Sequence, residues 1–597
     1  MCRIAGIYNP SDKSISSNIL MMRDAMHHGG PDDEGVFLHD RYPLVFGHRR
    51  LSLIDLSSNG HQPMQDVDAG ITMVYNGEIY NYRELKATLQ SYGHQFKTET
   101  DTEVIIKAYI QWGTGAFELF NGMFALAIWD EKKSQLILAR DHAGMKPLYY
   151  AKVGDAFCFG SEMRAFAFSG IAFEENQDWP VAFLAFGHLP EPITSLKQVF
   201  SLEKGAVMTV DIPSLQIKKA SFFKWQIMGS LKYEEEAILL LRNTLKNAVA
   251  RHLIADAPLG IFLSGGIDSS LLTLLAAEFK TSTLKTLSII FKEKQFSEQK
   301  YQDIIARKAK TYHGAYEVSR DIFNEYLEDA LLAMDQPSID GINTYFISKF
   351  ARDHGLKAVL SGVGADELFG GYPTFHQHHE YRALQELPNM LLSRLHYFPD
   401  QRVKKLSYAG MHHSTGEYLL MRGLFDVQSI ADLLGASHTQ ISSVLAQISA
   451  HYSCPSLHDE DRISWFETNY YMQNQLLKDA DCMGMWHGLE IRMPFLDKEW
   501  MLVSGMINAS LKFKDKRPKH LLVKAFMQEL PEEIWNRKKQ GFTFPFDGWL
   551  KENEYTQPVT PEERRLYKSF QKKQINWSRY WCALMMNRYT MEHKAAA

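Results

Sequence analysis

A cysteine stands at position 2, directly behind Met1. Once Met1 is removed, Cys2 carries both a thiol and a free α-amine. An amine with an ordinary pKa of about 8 can serve as general base for its own side chain, so no separate histidine is required. On position alone, the same residue also reads as a buried cysteine near a terminus. A second candidate is the stretch IFLSGGIDSS, 261–270. It has the pattern of a strand, a tight turn and a helix start. Gly265 and Gly266 allow backbone N–H groups to approach a phosphate, the helix N-terminus adds partial positive charge, and Ser264, Ser269 and Ser270 offer further donors. A structural Gly-Gly turn is the plainer reading of this loop. There is no GxxxxGK[ST] here, which excludes a Walker A site. A further Gly-rich stretch, SGVGADELFGGY at 361–372, also follows a strand-like run. In doubly wound sheets ligands lie beyond the C-terminal strand ends, so the two loops can face one nucleotide. Asp268 and Asp366 are then natural Mg²⁺ ligands, because magnesium takes carboxylate and phosphate oxygens.

The elements that must hold these groups follow from hydrophobic periodicity. Short β-rich runs recur at 3–8, 44–48, 71–75, 124–129, 135–140, 148–151 and 157–161, separated by turn signals such as Gly29-Gly30-Pro31-Asp32 and Asn76-Gly77. A helix is predicted over 102–111, capped by the Thr100-Asp101-Thr102 cluster. This half reads as α+β with packed antiparallel sheets. From about Tyr233 the pattern changes to helix 234–252, strand 260–263, helix 269–279, strand 284–291, helix 297–312, helix 344–354 and strand 358–361. Alternating strands and helices predict a parallel sheet with crossover helices. After Tyr372 the chain reads as mostly helical. The boundary falls in 218–232, which is poor in Pro and Gly and so predicts a packed junction.

Composition narrows the class. The 597 residues are 45% hydrophobic and 23% charged, with a net charge of −5, which gives no footprint for nucleic acid or an anionic membrane. No apolar run reaches the roughly 18–20 residues of a membrane span, and the N-terminus lacks the apolar segment of a signal peptide. Five cysteines without a CxxC pair argue against a disulfide framework or zinc site and fit a reducing cytoplasm.

Seven segments occur in order over most of residues 1–165: MCRIAGIY, HHGGPDDEG, GHRRLSLIDL, VYNGEIYNYREL, TETDTEVI, NGMFALAIWD and ARDHAGMKPLYY. Together they resemble the class II, N-terminal-nucleophile glutamine amidotransferases, and within them the asparagine synthetases. The resemblance implies that Cys2 attacks the glutamine side-chain amide and that Asn76 and Gly77 form the oxyanion hole. It further implies that Arg50 and Asp101, with Glu78, hold the carboxylate and ammonium of glutamine. A paired Arg and carboxylate is the chemically sensible reader of a zwitterion.

In the second half, SGGxDS resembles the pyrophosphate loop of ATP-pyrophosphatases, enzymes that split ATP into AMP and pyrophosphate. By resemblance Leu263, Ile289 and Gly362 lie near the adenine, with Ser264, Gly265, Gly266, Asp268, Ser269 and Ser361 completing the ATP set and Asp268 and Asp366 the metal set. The segment DADCMGMWHGLEIRMPFLD, 479–497, is similar to the family's segment ending in E-x-R-x-P-F-L-D, where Glu490 and Arg492 read as structural ion-pair residues. Within KRPKHLL, 516–522, Lys519 matches the catalytic lysine that stabilises phosphate charge. Arg537, Lys538, Lys539, Gly541 and Phe542 match a second basic element. The sequence departs from the family at four places: Gly29 and His142 stand where Arg is common, Cys482 replaces a commonly basic residue, and Val363 replaces an acid that is a candidate base for ammonia.

The resemblance therefore implies an αββα glutaminase domain over 1–220 and an α/β synthetase domain of the ATP-pyrophosphatase type over 233–597, with a helical C-terminal part. It implies a cytoplasmic ligase that uses ATP and Mg²⁺, hydrolyses glutamine, adenylates the aspartate side chain, and forms asparagine, AMP and pyrophosphate. Its partners would be glutamine, ATP and a carboxylate acceptor, with no nucleic acid and no membrane, and a homodimer as one possible assembly. Free ammonia is mostly protonated at neutral pH, so a sheltered apolar passage between the domains is expected. Two alternatives stay open: the same chemistry on another carboxylate, such as a sugar acid or secondary metabolite, and a catalytically silent binding protein.

Overall fold

In the computed structural model the described residues are 2–596, apart from 280–282, 376–383, 385, 393, 396–397, 399, 515–516 and 542. Two six-stranded antiparallel sheets make up the N-terminal part. One runs, edge to edge, Val199–Ser201, Tyr149–Val153, Ala156–Gly160, Cys2–Tyr8, Leu44–Arg50, Asp33–Leu38. The other runs Gln216–Ser221, Ala206–Asp211, Gln135–Arg140, Gly122–Asp130, Ile71–Ile79, Met64–Asp66. Ile4, Tyr8, Phe46, Val74, Leu138 and Phe159 fill the space between the sheets. Helix Ile15–Asp24 covers the outer face of the first sheet, through Ile19 and Met22 against Ala5 and Ile7. Helices Tyr82–Ser91 and Asp101–Trp112 cover the second. The order of layers is αββα, as period-two alternation on both inner faces requires.

A five-stranded parallel sheet forms the second part, in the order Tyr312–Glu317, Lys285–Ile290, Leu259–Phe262, Ala358–Leu360, Glu490–Arg492. The first strand to form in sequence, Leu259–Phe262, lies in the middle. Chain growth goes to one side and then the other, so the switch point falls between Leu259–Phe262 and Ala358–Leu360. Helices, from Ser414–Arg422 to Trp577–Ala596, complete this part. No helix among the described residues is long and apolar enough to cross a membrane.

Two predicted boundaries move. The helix predicted over 297–312 stops at Ala309, Lys310 adopts a left-handed cap, and Tyr312–Glu317 becomes an edge strand of the parallel sheet. Glu490–Arg492 is a strand inside the region read as helical; at three residues it is too short to show a period. The junction at 218–232 is packed: Trp225 Nε1 donates to Met501 O at 2.8 Å and Leu231 bridges to Ile507.

Candidate functional site

Cys2 opens a strand whose register sets it opposite Arg50, so the two side chains share the inner face of the first sheet. The facing sheet supplies Asn76, which is fully buried and whose Oδ1 accepts from the Cys2 N–H at 3.2 Å. The Nδ2 of Asn76 is buried without a partner. At Gly77 φ is +156°, and a Cβ there would lie 2.1 Å from Met123 O; only glycine fits. Burial pushes the Cys2 thiol up, while the Leu51 N–H and the Arg50 charge pull the other way. Arg50 Nη1 and Nη2 donate to Ser57 O at 2.8 Å and Asp55 O at 2.6 Å, which anchors the guanidinium in the loop after its strand. Thr100 caps helix Asp101–Trp112, accepting from Glu103 N at 3.2 Å. That cap sets Asp101 against the Asn76 strand, where its carboxylate accepts from Tyr75 Oη at 2.9 Å and Ile79 N at 3.0 Å. Glu78 is buried, and burial beside Glu490 pushes its carboxyl well above the usual range. Arg492 Nη2 stands 3.7 Å from Glu78 Oε1. Cys2, Arg50, Asn76 and Gly77 therefore converge, with Glu78 two residues farther along the Asn76 strand and Asp101 packed against that strand from its helix.

The second group lies at the switch point of the parallel sheet, in a cavity of about 640 Å³. Leu263, Ser264, Gly266, Asp268, Ser269, Ile289, Ser361, Gly362, Asp366 and Lys519 all line it. Ser264 Oγ and Ser269 Oγ are 2.9 Å apart, which closes the turn across the start of helix Ile267–Phe279. A Cβ at Gly362 would lie 2.8 Å from Asp268 Cβ, so the two loops meet only because that residue is glycine. Lys519 Nζ pairs with Asp268 and sits 2.5 Å from Asp366 Oδ1. The two carboxylates raise the Lys519 pKa despite its burial. Burial opposes ionisation of Asp366, but Lys519 and Lys539 outweigh it and hold the carboxyl low. Asp268 Oδ1 is buried with no partner. Two close carboxylates, one with an unmatched oxygen, suit a hard cation that also takes phosphate oxygens. Among the described residues no cluster of three or more His, Cys, Asp or Glu could hold a metal unaided.

Not every expected residue is there. Gly265 is outside the lining; its φ of +82° turns the chain and its carbonyl accepts from Arg537 Nη2 at 3.0 Å. Ser270 is buried in the helix interior, and Lys538 is exposed away from the cavity. Phe542 and Lys516 lie outside the described residues. Val363 lines the cavity, where it adds an apolar surface and no acid. Periodicity gave no hint of the clamp formed by Glu298 and Arg537, with the guanidinium 2.5 Å from the carboxylate and 3.9 Å above the Tyr301 ring. Nor did it reveal the aromatic wall of Phe186, Tyr372, Tyr418 and Tyr471. The wall residues are far apart in sequence, and no local pattern joins them.

Polar contacts join the two halves. Lys146 Nζ donates to Asp481 Oδ1 at 2.7 Å and Lys357 Nζ to Asp32 Oδ2 at 2.6 Å. Asn121 Nδ2 donates to Asp497 Oδ1 at 3.2 Å, and His142 Nε2 lies 2.8 Å from Leu496 O. His142 is thus an interface residue.

Family models place the chain. The model "Asparagine synthase" matches residues 240–562, and "Glutamine amidotransferase domain" matches residues 1–222. The chain is 33% identical to asparagine synthetase [glutamine-hydrolyzing] 1 of Bacillus subtilis over 94% of its own length and 90% of that protein's. It is 30% identical to asparagine synthetase [glutamine-hydrolyzing] 3 of the same organism, over 91% and 87%. It is also 26% identical to amidase chry2 of Gibberella zeae, over 91% and 87%.

Proposed function

Because the chain belongs to the asparagine synthase family of ligases and carries a glutamine amidotransferase domain, we propose that it is a glutamine-fed, ATP-driven amide synthetase with aspartate as its acceptor. The glutaminase domain spans 1–220 and the synthetase domain 233–597. Loss of Met1 frees the Cys2 α-amine, which takes the thiol proton as sulfur attacks the glutamine amide. The negative charge that develops on the amide oxygen is met by Asn76 Nδ2 and the Gly77 N–H. Ammonia leaves, and water releases glutamate from Cys2. Arg50 reads the glutamine carboxylate, and Asp101 and Glu78 its ammonium.

In the synthetase domain the turn at Ser264–Ser269 cradles phosphate, and Leu263, Ile289 and Gly362 enclose the base. Magnesium held by Asp268 and Asp366 would neutralise phosphate charge. Lys519 is placed to meet the charge that shifts as the acceptor carboxylate is adenylated and pyrophosphate departs. Ammonia then displaces AMP. The observation that carries this reading is the Asn76 donor, buried and unmatched beside Cys2, in one chain with the Asp268–Lys519–Asp366 cluster at a parallel-sheet switch point.

Val363 supports a second reading, the same chemistry on another carboxylate, because valine cannot accept a proton from ammonia. A screen of pyrophosphate release with glutamine, ATP and a panel of carboxylates decides between them. Aspartate is the expected best acceptor. Turnover with another carboxylate and none with aspartate rejects the first reading.

A further inference from the structure

Side chains alternate along strand Cys2–Tyr8, so Cys2 faces the Asn76 sheet and Arg3 faces the opposite side. There Arg3 is fully buried. Its Nη1 donates to Asp481 Oδ2 at 2.7 Å and its Nε to Glu162 Oε1 at 2.5 Å. Lys146 Nζ holds the other Asp481 oxygen at 2.7 Å. Asp481 belongs to helix Leu477–Trp486, whose Asp479 and Ala480 line the nucleotide cavity. From Cys2 to the cavity the path is one peptide link, one buried ion pair and one more peptide link.

Two of the family departures meet at this arginine. A Cβ at Gly29 would lie 2.7 Å from Arg3 Cγ and 2.8 Å from Arg3 Nε, so Arg3 fills the volume a side chain at 29 would take. Cys482 lines the same small gap as Arg3 and Asp481. The guanidinium that answers Asp481 thus comes from position 3, next to Cys2, while position 29 carries no side chain and position 482 no basic group. We propose that Arg3 is a positioning residue: paired with Asp481, it ties the strand bearing Cys2 to the helix lining the synthetase cavity and makes glutamine hydrolysis respond to what that cavity holds. The proposal rests on the glutamine-fed synthetase reading above.

The test compares the full-length wild type with Arg3→Gln and with the relocated pair Arg3→Gly/Gly29→Arg. Glutamate release is measured with and without MgATP plus acceptor, alongside pyrophosphate release with ammonia replacing glutamine. In the wild type, MgATP and acceptor stimulate glutamate release. In Arg3→Gln that stimulation falls about tenfold, a usual size for coupling between sites, while ammonia-driven pyrophosphate release stays within about twofold. Glutamate release with MgATP and acceptor then falls toward its unstimulated rate, and the relocated arginine restores the stimulation. Stimulation equal to wild type in Arg3→Gln overturns the proposal. If Arg3→Gln does not fold, a folded relocated variant decides: restored stimulation supports the proposal and its absence overturns it. A wild type that makes pyrophosphate from glutamine without any stimulation overturns the coupling alone. A wild type that makes no pyrophosphate overturns the synthetase reading, and the coupling with it.

Discussion

Replacing Asn76 with alanine separates catalysis from stability. In the folded protein its Nδ2 is a buried donor without a partner, and its Oδ1 accepts from the Cys2 N–H at 3.2 Å. An unmatched buried donor costs about 1–3 kcal/mol, so deleting it returns stability to the fold. Deleting Oδ1 strands the Cys2 N–H at a similar cost of about 1–3 kcal/mol. The two nearly cancel, and the melting temperature should move by no more than about 2–4 °C. The loss of one oxyanion donor acts only on the transition state and removes about 2.7–4 kcal/mol, a fall of roughly 10²–10³ in kcat for glutamine hydrolysis. Glutamate release under saturating glutamine, with thermal unfolding on the same preparation, reads both quantities. A kcat loss below about tenfold would refute the oxyanion role. So would a loss that tracks a large drop in melting temperature.

Other outcomes follow from the same geometry. Cys2→Ala should abolish glutamine-dependent synthesis and leave ammonia-dependent synthesis intact, as read by pyrophosphate release; loss of both contradicts two separate sites. Asp366→Asn removes the charge that Lys539 pairs with and one of the two carboxylates on Lys519, and should lower pyrophosphate release by about 10²-fold, with basal glutaminase activity largely kept. Equal loss of both activities counts against the assignment. His48 is fully buried, with Nε2 3.1 Å from Tyr75 O, and burial lowers its pKa to about 3. Between the unfolded value of about 6.5 and the folded value, the unfolded chain binds the extra proton, so stability falls as pH falls, by about 1.4 kcal/mol per unit. His48→Gln should reduce the acid-side slope of stability against pH by one proton; an unchanged slope points to another group.

Much of this was legible in the residues, and the reasons differ by region. Long, largely apolar runs such as those in Ile71–Ile79 and Gly122–Asp130 announce themselves because both faces are buried. Three of the edge strands, Met64–Asp66, Val199–Ser201 and Glu490–Arg492, are three residues each and carry no readable period. The two Gly-rich loops were visible because close approach leaves a glycine signature, as at Gly362 against Asp268. Partners drawn from distant segments were not visible. Arg3 with Asp481 and Glu78 with Arg492 span the two halves of the chain, and only the packed fold shows that their charges need each other. At these points the contact between the halves is a buried ionic one.

On the proposed reading, one chain takes nitrogen from glutamine and activates a carboxylate by adenylation. Incubation with glutamine labelled with ¹⁵N in its amide, ATP, Mg²⁺ and aspartate, followed by mass spectrometry of the amide product and the nucleotide, tests it in one vessel. ¹⁵N is expected in the side-chain amide of the product, with AMP and pyrophosphate in equal amount. Formation of ADP and phosphate, or an unlabelled product, would contradict it.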